Sequence, residues 1–198
     1  LNIALFGCGN WGKNIARNLH QMGYLACIYD LKSNFSEELS YDYKLPTFKL
    51  EKIFENQNIN AIVIASPAIT HKDLAIEALK NDKDVFIEKP FCLSLPDALK
   101  LSAFAANRNK VLMVGHLLHY HNAFIEMKEL IKNGKIGFPQ NIRANRQALG
   151  AIRSEESVIY DLSAHDISMI LSITEELPID VNVQSIHHLN NIGPDAVS

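Results

Sequence analysis

The chain has 198 residues, 47% of them hydrophobic and 21% charged, with 9 glycines and 7 prolines. That balance belongs to globular protein and excludes disordered and collagen-like chains. The formal charge of −3 removes the electrostatic case for nucleic acid or an anionic membrane as the principal partner and favours a small-molecule function.

Over the first 115 residues, short apolar runs alternate with helical patterns, the rhythm of βα units around a parallel sheet. A first strand at 3–6 leads into Gly7-Cys8-Gly9-Asn10-Trp11-Gly12, which fits GxGxxG and opens a helix whose apolar stripe is Trp11, Ile15, Leu19 and Met22. Gly7 permits the tight turn, Gly9 lets backbone approach a pyrophosphate, and Gly12 allows close helix packing. The N–H groups of Asn10 and Trp11 belong to a helix start that attracts an anion. A second strand at 24–29 ends at Asp30, near the separation expected of a carboxylate that binds the adenine ribose 2′-OH. That carboxylate favours NAD over NADP, although Lys32 lies close enough to leave room for the phosphorylated form.

No period is visible from 31 to 48. A short helix at 50–56 and a buried strand at 61–65 follow, then Ser66-Pro67 and a helix at 70–81 containing His71. A strand at 83–87 runs into Glu88-Lys89-Pro90. A helix at 96–107 and a strand at 111–114 complete about five strands and five helices. Ligands of open α/β sheets bind outside the carboxyl ends of the strands, where Glu88 and Lys89 fall.

Beyond Gly115 the rhythm changes: helix at 123–133, extended chain at 142–149, helix at 162–173 and a strand-like tail at 179–187. The division expected is a dinucleotide-binding domain over 1–118 and a partial substrate-binding and oligomerisation domain over 119–198. No apolar run approaches the roughly 20 residues that cross a bilayer, and the sequence opens on Leu1-Asn2-Ile3-Ala4 without a charged run ahead of an apolar stretch, so neither a membrane span nor a targeting segment is expected. The 3 cysteines, Cys8, Cys27 and Cys92, lack the paired spacing of a zinc or redox motif. They read as small buried residues in a protein of the cytoplasm. His116, His119 and His121 share no helical face, and no metal is expected.

GCGNWG, Ser66-Pro67 with His71, and above all Glu88-Lys89-Pro90 after a strand resemble the glucose-fructose oxidoreductase and inositol dehydrogenase family, Gfo/Idh/MocA. The resemblance implies that Lys89 reaches both cofactor ribose and substrate hydroxyl, and that Glu88, Ser66, Pro67 and His71 line the cofactor groove. Tyr160-Asp161-Leu162-Ser163-Ala164-His165 resembles the family's active-site helix. It implies that His165 is the acid/base for the reacting hydroxyl and that Asp161 orients substrate or histidine. Histidine suits that task because its ordinary pKa lies near 6.5. Where many members carry arginine, this chain has His119, which the resemblance makes its substitute at the substrate.

The stretch around Arg146 and Arg153 is most similar to the branch acting on UDP-linked N-acetyl sugars at a ring 3-hydroxyl, with both arginines as donors to anionic groups. The expected fold is therefore α/β, a Rossmann-like doubly wound parallel sheet followed by a truncated α+β substrate domain. The expected activity is an NAD-dependent oxidation of a sugar or UDP-sugar by a homo-oligomer in its full-length form. The alternative is a non-catalytic NAD sensor of the same fold.

Overall fold

The computed structural model describes residues 1–147, 157–187 and 193–198, which form two compact units, Leu1–Gly115 and His116–Ser198.

The first unit alternates β1 (Ile3–Phe6), α1 (Asn10–Gln21), β2 (Leu25–Tyr29), α2 (Ser33–Asp42), α3 (Leu50–Glu55), β3 (Ala61–Ile64), α4 (His71–Lys80), β4 (Asp84–Ile87), α5 (Leu95–Asn107) and β5 (Leu112–Val114). The strands make one parallel sheet in the order β2-β1-β3-β4-β5, the Rossmann-like topology expected. Both faces are covered, so β1 and β3 are apolar runs without a polar side. Ala4, Phe6, Ile62, Ile64, Val85 and Ile87 pack toward Ile53, Phe54, Ala75, Leu79 and Leu101. Ile3, Leu5, Ile28 and Val63 pack toward Ala16, Leu19 and Leu39 on the other face. Each large side chain so buried contributes about 1.5–3 kcal/mol. Phe6 anchors the first layer, edge-on to Tyr29 and to Phe54 with ring centroids 5.6 and 5.5 Å away.

Register decides where the functional residues emerge. Phe6 pairs with Tyr29 and with Ile64, Ile64 with Ile87, and Ile87 with Val114. The residues that follow in each strand, Gly7, Asp30, Ala65, Glu88 and Gly115, consequently leave the sheet along one edge. The chain turns from β1 to β2 on one side and returns to β3 on the other, which makes the β1–β3 gap the switch point where such sheets bind ligands.

Two expectations for this unit need correction. The face of α1 toward the sheet is Gly12, Ala16 and Leu19, while Trp11 and Met22 are 46% and 56% exposed. Small residues win that face because they let the helix axis approach the strands. The aperiodic stretch after Asp30 contains α2, whose buried positions are Ser36, Leu39 and Ser40.

All three cysteines are free and buried. Burial, with the Asp30 charge adding to it, pushes the Cys8 thiol up to about 12; burial alone takes Cys27 to about 12, and burial chiefly raises Cys92. At the start of α5, Ser94 Oγ accepts a hydrogen bond from the Asp97 N–H at 3.3 Å, with Pro96 in the first turn. Ser94→Ala is expected to lower stability by about 1 kcal/mol, read as a shift in urea midpoint at unchanged slope. No shift would remove the cap from the account.

The second unit holds a 3-10 turn at Leu117–Tyr120, α6 (Asn122–Lys132), a π turn at Ile159–Ser163 continuing into α7 (Ala164–Thr174), and an antiparallel ladder of β6 (Ser185–Ile186) with β7 (Ala196–Val197). Residues 142–147 form no strand, and 148–149 lie outside the described residues. In the tail, strand pairing is confined to Ser185–Ile186, whereas Ile179, Val181 and Val183 are exposed. Alternating apolar residues make a strand only where a partner accepts their backbone groups. Among the described residues, no helix is long and apolar enough to cross a membrane.

Candidate functional site

The glycine turn is built by backbone crowding. Gly7 has φ +95°, and a Cβ there would lie 2.5 Å from Ser66 N and 2.6 Å from the Ala65 carbonyl. A Cβ on Gly12 would lie 2.0 Å from Gly7 O. Gly9 differs: nothing lies within 4 Å of where its Cβ would be, and it precedes α1 with no side-chain cap. Bare backbone, open space and a helix N-terminus thus coincide at Gly9-Asn10-Trp11, the surface a pyrophosphate requires.

Asp30 completes the turn. Its Oδ2 accepts from the Cys8 N–H at 2.6 Å and its Oδ1 from the Lys32 N–H at 2.8 Å. A carboxylate has about four acceptor sites, so two remain for ribose hydroxyls. The bond to Cys8 was not legible in the sequence, where Asp30 stood only as a ribose ligand. Glycine turn, open Gly9 and carboxylate together fit an adenine dinucleotide.

The ends of β3 and β4 carry the second group. Ser66 Oγ and Thr70 Oγ1 lie 2.7 Å apart, with Pro67 between them in the turn. Glu88 Oε1 accepts from Trp11 Nε1–H at 2.7 Å and Oε2 from the Lys89 N–H at 3.3 Å. A Cβ on Gly115 would come within 2.9–3.0 Å of that carboxylate, so glycine is what leaves room for it. Burial raises the Glu88 pKa, while the hydrogen bonds from Trp11 and Lys89, then the charges of Lys89 and His71, oppose the rise. The Trp11–Glu88 bond ties the β1 turn to the β4 end across 77 residues of sequence, a pairing no spacing rule exposes.

His71 departs from its expected place. It is 1% exposed, with both ring nitrogens against backbone carbonyls, so it stands behind the groove and does not line it.

In the second unit, Asp161 lies in the π turn and His165 in the first turn of α7, on one continuous helical stretch. The Asp161 N–H donates to Ser157 O at 3.0 Å. The 3-10 turn bearing His119 packs against α7. The His119 ring meets Phe124 edge-on at 5.5 Å and His116 at 5.9 Å. Burial, then the His119 charge, lowers the His116 pKa. His121 has a different task, accepting the Ala123 N–H at 3.2 Å as the cap of α6. Among the described residues, no three His, Cys, Asp or Glu side chains converge on a metal position.

Arg146 also departs from expectation. Its Nε and Nη2 donate to both oxygens of Asp166 at 2.9 and 2.8 Å, a bond that raises the Arg146 pKa further. The forked edge expected to grip a substrate anion is occupied by a neighbouring carboxylate. Arg153 lies outside the described residues.

Residues 1–116 match the family described as "Oxidoreductase family, NAD-binding Rossmann fold", Gfo/Idh/MocA. The 2,7-anhydro-N-acetylneuraminate hydratase of Escherichia coli (strain K12) is 30% identical over 141 residues, covering 69% of this chain and 37% of that protein. The scyllo-inositol 2-dehydrogenase (NAD(+)) of Bacillus subtilis (strain 168) is 27% identical over 176 residues, covering 84% and 52%. The UDP-N-acetylglucosamine 3-dehydrogenase of Acidithiobacillus ferrooxidans is 27% identical over 187 residues, covering 94% and 58%. Its solved structure matches with a TM-score of 0.86 at 26% identity, over 96% of this chain and 61% of that one. The chain spans about half the length of the curated relatives it matches.

Proposed function

Because the chain belongs to the Gfo/Idh/MocA oxidoreductase family with its NAD-binding Rossmann fold, we propose that it serves an NAD-dependent dehydrogenase acting on a secondary hydroxyl of a sugar, with a UDP-linked N-acetyl sugar and its ring 3-hydroxyl as the specific candidates. The observation that carries this reading is the shared register, which delivers the glycine turn, Asp30 and Glu88-Lys89-Pro90 to one edge of the sheet. Similarity to the UDP-N-acetylglucosamine 3-dehydrogenase over 96% of the chain supports the choice of sugar.

Gly7, Gly9, Asn10, Trp11 and Gly12 would hold the pyrophosphate, Asp30 the adenine ribose, and Ser66, Pro67 and Lys89 the nicotinamide half. NAD, when bound, supplies the acceptor for a hydride. Lys89 donates a hydrogen bond to the substrate oxygen and offsets its developing negative charge. His165 removes the hydroxyl proton on a ring nitrogen, so that the alcohol leaves as a ketone and the proton stays on the imidazole until solvent takes it. Asp161 orients that pair.

Screening NAD reduction against UDP-N-acetyl sugars, inositols and free sugars tests the proposal. Steady accumulation of NADH with one of them is the expected result. Turnover of a sugar without net NADH would favour chemistry of the hydratase kind and overturn the dehydrogenase reading.

NAD is expected to bind more tightly than NADP, since Asp30 accepts ribose hydroxyls and repels a 2′-phosphate. Asp30→Ala should abolish the preference and weaken NAD about tenfold, the scale of a hydrogen bond to a charged group. Titration of both cofactors decides, and equal affinities in the unsubstituted chain would take the selector role from Asp30.

A further inference from the structure

His71 opens α4 beneath the strand ends, 1% exposed, with Nδ1 2.8 Å from Pro90 O and Nε2 2.9 Å from Ser66 O. Carbonyl oxygens only accept, so each contact calls for a hydrogen on the ring nitrogen. A neutral imidazole carries one N–H and the imidazolium two. With one hydrogen, the bare nitrogen would turn its lone pair on a carbonyl oxygen, leaving both unsatisfied in a buried place. The two carbonyls belong to different loops, the turn after β3 and the segment after β4.

We propose that His71 is a positioning residue: carrying hydrogen on both ring nitrogens, it ties the β3 turn to the β4 segment and so fixes Lys89, and the loss of one hydrogen releases one of the two loops. Its consequence for NAD rests on the dehydrogenase reading; the hydrogen count of the ring does not. Several charged or titratable groups lie on the packed elements. The β4 end carries Glu88 and Lys89, and the loop before α5 carries Cys92. On α4 itself Lys72 lies 3.8 Å from Asp73, and it reaches Asp97 of α5 at 3.5 Å. The β3 end supplies only the Ser66 and Thr70 hydroxyls, which bond each other. Glu88 is the acid whose charge opposes that of His71, since a positive ring counts among the influences holding its carboxyl down against burial.

The sign of the effect is fixed. The clamp is complete only with hydrogen on both ring nitrogens, so NAD affinity should be highest where the ring carries both and lower wherever it carries one.

The experiment follows the ring nitrogens of the ¹⁵N-labelled chain by long-range NMR across pH, with NAD dissociation constants measured on the same samples. His71→Gln assigns the resonances. Two protonated nitrogens at the acid end, and a dissociation constant that rises about tenfold as the second hydrogen is lost, are expected. His71→Gln should bind NAD weakly with that pH dependence removed. A ring with a single hydrogen at every pH where the chain is folded would overturn the clamp, as would an affinity that stays constant while the ring titrates. The unsubstituted chain decides this even if the variant fails to fold. Absence of NAD binding at every pH would overturn the dehydrogenase reading and the positioning role with it, whereas a singly protonated ring beside normal NAD binding overturns the clamp alone.

Discussion

Gly7→Ala is expected to destabilise the first unit by about 2–5 kcal/mol. A positive φ costs an L-residue about 1–2 kcal/mol, and overpacking adds about 1–3 more. The atoms that the new Cβ would strike are backbone, Ser66 N at 2.5 Å and the Ala65 carbonyl at 2.6 Å. Neither wall can retreat, because Ala65 N–H donates to Phe6 O at 2.7 Å and Gly7 N–H to Tyr29 O at 2.9 Å within the ladder. Against a total of about 5–15 kcal/mol, the loss should drop the melting temperature by more than about 10 °C. Gly9→Ala is the matched control: φ is −63° and the added carbon meets nothing within 4 Å, so the fold should survive while NAD affinity falls. A melting temperature for Gly7→Ala within about 2 °C of the parent would refute the crowding argument.

Lys89→Ala and His165→Ala should each lower turnover of the best sugar by about 10² to 10⁴-fold, which is about 2.7–5.5 kcal/mol of barrier, with NAD affinity little changed in His165→Ala and weakened by no more than about tenfold in Lys89→Ala. The roles proposed for them, offsetting charge and taking the proton, belong to the chemical step, so the loss is expected in kcat. Asp161→Asn should be milder, because it alters orientation and leaves the acid/base in place. Near-normal turnover in His165→Ala would end the assignment, and a collapse of NAD binding in Lys89→Ala would move that lysine from chemistry to cofactor retention.

The first unit was legible because its signals are local and redundant. Ile3 to Phe6 and Ala61 to Ile64 are apolar throughout, the glycine turn follows the first strand, and Pro96 stands in the first turn of the helix read at 96–107. What escaped depends on side chains meeting across the fold. Nothing around Trp11 predicts that its indole N–H reaches Glu88, and a sequence reading that buries large residues puts Trp11 on the wrong face of α1, where Gly12 and Ala16 allow the closer approach. His71 beside a ligand loop reads as a lining residue until the two carbonyls around it are seen. α2 was silent because its buried side includes Ser36 and Ser40, which carry no apolar period. In the second unit the sequence marked Asp161 and His165 by resemblance, but it could not show that Arg146 already holds Asp166.

The burial of Cys8, Cys27 and Cys92 gives this chain three intrinsic reporters of its own breathing. Thiolate is the form that alkylating reagents attack, and a thiol at about 12 exposes only about one part in 10⁵ of it at neutral pH. Alkylation therefore waits for the surrounding structure to open, and its rate counts those openings. Cys8 lies inside the glycine turn, Cys27 in the edge strand β2, and Cys92 in the connection from β4 to α5. Mass spectrometry of timed alkylation would thus separate motions of the turn from those of the sheet margin without altering a single residue. A ligand seated on the turn would slow Cys8 by far more than it slows Cys27.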